Sequence, residues 1–177
     1  VEPTSLFDDI SFLITSRCKP ETSQLYNMMA DQIAEMLHCE KSGIPVFWTG
    51  YPLWYHPDRF LRPLMDGFRI VGSNYITWWS IDYSGDSIFE QLFNAYNYTF
   101  LNLSQQTRNQ KLGSAIRKSG AACTITLHNK SCKCDFVSAR DIDLPQAEIE
   151  IDMIDRKFID EKKASRQLEL LKETLCR

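Results

Sequence analysis

After position 43 the sequence changes its period, and that change constrains the fold more than any other feature. Ile44-Pro45-Val46-Phe47-Trp48, closed by Thr49-Gly50, is a short apolar run without helical spacing and reads as a buried strand. Tyr75 to Ile81 and Cys123 to His128 are rich in β-branched and aromatic residues and read as extended, with Phe100 to Leu103 a further strand candidate. Helical stretches lie between and after them. One spans 57–66, opened by Pro57-Asp58. Another runs from Ser87 to Tyr96, with Ile88, Leu92 and Ala95 at i, i+4 and i+7. The last covers 160–175, with Leu168, Leu171 and Leu175 inward and Lys/Glu pairs outward. Residues 147–159 fit either a strand or a helix.

Upstream of the change the pattern is helical throughout. Leu6, Ile10, Leu13 and Ile14 predict a helix over 5–17, ended by Cys18 and Lys19-Pro20. Leu25, Met28, Met29, Ile33 and Leu37 share one side of a second helix over 22–37, a stripe expected to be core. Helices first, then strands alternating with helices, predict an α/β fold. The expected organisation is an N-terminal helical part over 1–43, followed over 44–177 by a small, mostly parallel sheet flanked by helices.

The chain has 177 residues, 44% of them hydrophobic, so burial can offset chain entropy and disorder is not expected. Its net charge of −3 gives no basic footprint for nucleic acid. The cysteine count is even, with Cys18, Cys39, Cys123, Cys132, Cys134 and Cys176. Only Cys132 and Cys134 are close, and no second close pair completes a zinc set, so disulfides are expected and a metal is not. Three glycosylation sequons begin at Asn97, Asn102 and Asn129. Together, cysteines and sequons predict a secreted or cell-surface glycoprotein. No apolar run approaches the ~18 residues of a membrane span, so any anchor is expected outside this sequence.

General catalytic motifs are absent: there is no G-x-G-x-x-G, P-loop, G-x-S-x-G or H-E-x-x-H. His38, His56 and His128 are scattered. Trp48, Trp54, Tyr55, Trp78 and Trp79 form the stronger signal. They read either as core plus one exposed loop, or as indoles lining a pocket for a flat, partly cationic ring. The loop 51–57, with Trp54, Tyr55 and His56, is the expected contact surface for an extracellular protein partner.

Several short motifs, in order along the chain, resemble the ADP-ribosyl cyclase / NAD glycohydrolase family. They are Phe12-Leu13 with Arg17-Cys18-Lys19, Val46 to Gly50, Gly67-Phe68, Thr77-Trp78, Ser87-Ile88-Phe89, Phe100-Leu101-Asn102, Leu112-Gly113-Ser114, Ile125 to His128 and Leu175-Cys176. The resemblance implies a disulfide-bonded ectodomain with an NAD-cleaving cleft between two lobes. It places Trp48 and Phe89 at the two aromatic pocket walls, with Trp78, Gly113 and Ser114 around them.

The acidic positions of that pattern are not kept. Arg62 replaces one acid, and Ile116 or Arg117 stands where the catalytic glutamate is expected. No carboxylate occurs from Ala95 to Cys134. An oxocarbenium-like transition state needs negative charge placed against it. The resemblance therefore implies a catalytically degenerate recognition module without a cofactor, for which NAD or another nucleotide is a ligand at most. The alternative is an active NAD glycohydrolase or cyclase in which Glu90 or Asp66 supplies the acid.

Overall fold

The computed structural model describes residues 16, 19–36, 42–50, 65–75, 83–97, 99–131, 142–152, 155 and 159–176. Nearly all of the expected helices over 5–17 and 57–66, and of the expected strand over 75–81, lies outside them. The chain divides into two compact units, 1–42 and 43–177.

The first unit contains helix α1, Pro20–Met36. Pro20 does not merely end a preceding segment. It occupies the first position of α1, where its missing N–H has no intrahelical partner to lose. The Thr22 hydroxyl donates to the Ser16 carbonyl at 2.6 Å and ties the first turn to the chain before it. Of the stripe expected as core, Leu25 and Met28 are exposed and Met29 is half-buried.

The second unit is an α/β layer. Its elements among the described residues are β1 (Ile44–Gly50), β2 (Phe68–Ser73), α2 (Ile88–Asn97), a 3₁₀ turn (Phe100–Asn102), α3 (Gln105–Ser119), β3 (Cys123–Asn129), β4 (Gln146–Ile151) and α4 (Glu161–Leu175). The four strands form one sheet in the order β2-β1-β3-β4, and every pairing is parallel. The expected α/β class and parallel sheet are what the structure contains. The expected disulfide framework is not supported, because Cys123 and Cys176 are both free thiols. Cys18, Cys39, Cys132 and Cys134 lie outside the described residues.

Register explains how the sheet holds together. Val46 pairs with Cys123, Trp48 with Ile125, and Ile125 in turn with Ala147; one row on, Leu127 pairs with Ile149. Alternate residues of a strand share a face, so these rows stack into one apolar surface. Ala164, Leu168 and Leu171 of α4 close over it. At roughly 1.5–3 kcal/mol for each fully buried leucine, Leu168 and Leu171 alone contribute about 3–6 kcal/mol. Asp160 starts α4 by accepting the Lys163 N–H at 3.0 Å. The inward set expected for this helix is the one observed, with Leu175 partly buried beside the cluster.

The opposite face carries Phe47, Thr49, Thr124 and Thr126. Helix α3 packs against β2, and Gly72 gives Phe47 room, since a Cβ there would press on its ring at 2.6 Å. The β1–β2 register slips by one residue between Val46 and Phe47, a bulge that sets Gly72 opposite Phe47.

Three sequence expectations change. Phe100 to Asn102 is a 3₁₀ turn, not a strand. Ser104 follows it as the cap of α3, accepting the Thr107 N–H, so the chain turns here for capping. The ambiguous segment 147–159 resolves into β4 at its start. Helix α3 and strand β2 were not expected at all.

Gly50 has φ +89°, and a Cβ there would fall on the Leu127 carbonyl. Gly120, at φ +67°, has nothing within 4 Å. Gly50→Ala is therefore expected to cost about 3 kcal/mol or more and Gly120→Ala about 1 kcal/mol, measured by urea unfolding.

Candidate functional site

All four strands are parallel, so their carboxyl ends lie along one edge. The order β2-β1-β3-β4 sends the chain from β1 to one side and later brings it back on the other. β1 and β3 are thus neighbours with diverging connections, and open parallel sheets bind ligands in the crevice outside such a switch point.

The buried polar residues gather there. Thr49 and Thr126 sit side by side in register, with hydroxyls 2.5 Å apart. Thr49 Oγ1 also lies 3.4 Å from the Ile125 carbonyl, so Thr126 can donate to Thr49 and Thr49 onward to that carbonyl. At the last residue of β1 the Gly50 N–H donates to Asn74 Oδ1 at 3.2 Å. Asn74 directly follows β2 and is 2% exposed. The Ser73 hydroxyl accepts the Tyr75 N–H at 3.3 Å, folding the chain inward after β2.

β3 runs two residues past its pairing with β1, to His128 and Asn129. Asn129 Oδ1 accepts the Ser131 N–H at 3.4 Å. Ser131 donates its hydroxyl to Asp152, whose other oxygen accepts the Asp155 N–H at 3.0 Å. Asp152 follows β4 and is 4% exposed. His128 Nε2 stands 3.6 Å from Glu148 Oε2. The edge is thus a line of buried hydroxyl, amide and carboxylate groups bonded to one another and to the backbone, which fixes the ends of the strands.

The residues singled out in the sequence are not brought together. Trp48 is 1% exposed and lies within the apolar cluster under α4, where an indole cannot line an open pocket. Phe89 faces solvent on α2. Glu90 is committed elsewhere. Its carboxylate accepts the N–H groups of Asp86 and Ser87 at 2.8 and 3.2 Å while the Ser87 hydroxyl accepts the Glu90 N–H, a capping box. Asp66 is exposed in the turn before β2. Gly113 is buried within α3 beside the Arg117 guanidinium, and Ser114 is half-buried in the same helix. Asn97 and Asn102 are exposed, Asn102 donating to the Tyr96 carbonyl at 2.5 Å, whereas Asn129 is buried at the end of β3. Trp54, Tyr55, His56, Arg62 and Trp78 lie outside the described residues.

Thr49, Asn74, Thr126, Ser131 and Asp152 were missed. One signal was available: in Thr124-Ile125-Thr126 the threonines alternate with an apolar residue, which makes one face of a buried strand polar.

Among the described residues no group of three or more His, Cys, Asp or Glu side chains is placed to hold a metal ion. No described helix is long and apolar enough to cross a membrane.

The fold and the polar edge define an open parallel α/β domain. Residues 2–175 match the model of the 2-hydroxyglutaryl-CoA dehydratase, D-component, family, and the chain belongs to that family. No curated protein matches it significantly. Membership replaces the resemblance to ADP-ribosyl cyclases, whose motifs were short and whose acidic positions were empty. The degenerate ectodomain, its active NAD-cleaving alternative and the glycoprotein reading attached to them are corrected accordingly.

Burial pushes the Cys123 thiol from its ordinary 9.0 up to about 11. Its Sγ points at the Pro45 carbonyl 3.9 Å away. The folded state then holds its proton where the unfolded chain has released it, so this contribution to stability is complete below pH 9 and is lost as pH rises toward 11. Cys123→Ala is expected to flatten the fall in stability between pH 9 and 11, followed by urea unfolding. At pH 8, exposed Cys176 is expected to react with iodoacetamide well before Cys123, as read by peptide mass spectrometry.

Proposed function

We propose that this chain is part of a dehydratase acting on a 2-hydroxyacyl-CoA thioester, and that its β1/β3 carboxyl edge binds part of that substrate. The observation that carries the reading is the family match over nearly the whole chain. The polar groups gathered at the sheet's switch point support the choice of this edge.

The chemistry fits groups that bind and orient. A 2-hydroxyacyl thioester carries a carbonyl, an adjacent hydroxyl and amide-rich pantetheine, all of them hydrogen-bonding. Asn74 and the Thr49–Thr126 pair are buried and already bonded within the chain, so they hold the carboxyl ends of β1 and β3 rigid beneath such groups without contacting them. Dehydration removes the hydroxyl from C2 and a hydrogen from C3. The thioester acidifies C2–H rather than C3–H, so a general base alone does not accomplish the reaction. The role assigned to these residues is to position the substrate.

Isothermal titration of the full chain with 2-hydroxyglutaryl-CoA is expected to give saturable binding. Thr126→Val removes at nearly constant shape the hydroxyl that braces Thr49 and is expected to weaken binding roughly tenfold by loosening the strand ends. Gln167→Ala serves as the control. It lines a groove of about 230 Å³ between β4 and α4, on the face opposite the threonine pair, and should leave binding unchanged. Absence of binding by the unaltered chain, or loss confined to Gln167→Ala, would overturn the reading.

A further inference from the structure

Helices α3 and α4 handle charge in opposite ways. On α4 three cations are paired: Lys163 with Glu150 at 3.4 Å, Arg166 with Glu173 at 3.9 Å and Lys172 with Glu169 at 3.1 Å. On α3, Lys111, Arg117 and Lys118 are exposed, and among the described residues their side chains have no ion-pair or hydrogen-bond partner. The sequence holds no carboxylate from Gln91 to Cys134. Positions 111 and 118 are two turns apart, so the two lysines lie in one row about 10 Å long, with Arg117 beside it.

A fourth cation lies near the end of this helix. Phe68 and Ile70 of β2 pack toward the cluster beneath α4, so Arg69 between them faces the other side of the sheet. Ser119, the last residue of α3, rests on that side, 3.4 Å from where a Cβ on Gly72 would stand. Along the strand Arg69 is about 10 Å at most from Gly72. Arg69 is half-buried, and its Nε is closed off from solvent with no acceptor among the described residues. A guanidinium drawn partly out of water is destabilising until an anion reaches it.

We propose that α3 and Arg69 form a docking surface for an acidic protein. Arg69 is the anchor, and Lys111, Arg117 and Lys118 are the charges that steer the partner in. The distribution of charge selects this occupant. Cations strung along about 10 Å of helix do not converge on one phosphate; they match carboxylates spaced along a partner's helix or loop. Two such faces of one sign repel each other whichever residues are opposed, so a second copy does not pair through it. A net charge of −3 disfavours a nucleic acid. The end of α3 leads into β3 at Cys123, which pairs with Val46 early in the sheet, so the anchor lies at the amino ends of the strands. The surface is thus separate from the ligand site at the carboxyl edge and independent of it.

The probe is a fluorescein-labelled helical peptide of repeated Glu-Ala-Ala-Ala, titrated with the full chain by fluorescence anisotropy at about 50 and 200 mM salt. Saturable binding is expected. Arg69→Gln is expected to weaken it roughly tenfold at either salt, whereas Lys111→Gln/Lys118→Gln lowers the association rate and flattens the salt dependence. Lys162→Gln/Arg166→Gln removes the same charge from α4 and is expected to change nothing. Arg69→Met is expected to abolish binding while raising the urea midpoint, because the unpaired charge is gone, with circular dichroism confirming the fold. The proposal is overturned by absence of saturable binding, by equal loss in the α4 pair, or by an Arg69→Met midpoint that falls. It is also overturned if a single-stranded oligonucleotide of equal charge binds as tightly, or if inorganic phosphate displaces the peptide more than sodium chloride of equal ionic strength.

Discussion

Everything in the second unit rests on the apolar rows that run across β1, β3 and β4 beneath α4. Parallel strands cannot be joined by tight hairpins, so each must be carried back by a connection long enough to cross the sheet. Such a sheet gains stability only when its face is covered. Here the rows headed by Trp48 and Leu127 are in register, and Leu168 and Leu171 seal them. Once they are sealed, every carboxyl end is delivered to one edge. The polar groups there are a product of that register.

The two faces of the sheet therefore serve different ends. One is dry and continuous. The other, with its threonines at 49, 124 and 126, keeps hydroxyls in a buried setting where each needs a partner. The Thr49–Thr126 pair meets that need at the strand ends, and Asn74 meets it for the Gly50 N–H. Groups so tied hold the strand ends rigid, so little freedom is left at this edge to be lost.

Much of the architecture was legible in the sequence. β1, β3, α2 and α4 announce themselves through period, and the N-terminal helix starts two residues before its expected place because Pro20 opens it. What escaped had weak patterns. α3 is almost wholly polar, with Leu112 and Ile116 as its large buried residues, so no stripe marks it. Its punctuation does: Ser104 caps one end, and Gly120, in the left-handed conformation, closes the other. β2 carries Arg69 inside a short apolar run, and a charge there hides a strand. The site was harder. Aromatic residues draw the eye toward pockets, but Trp48 is core and Phe89 faces solvent. The residues at the edge are small and common, and only topology gathers them. The same holds for the apolar spacing of α2, which gives the right helix and the wrong face, with Ile88 and Leu92 exposed: period reports that a stripe exists and says nothing of what covers it.

The close approach of Gly50 to Leu127 has a consequence for how this protein can diversify. Where Gly50 meets the Leu127 carbonyl the two central strands touch main chain to main chain, and β1 has no side chain there to vary. Two relatives keeping this contact could not differ by exchanging that residue. Their differences would have to fall in the segments that leave the sheet after each strand.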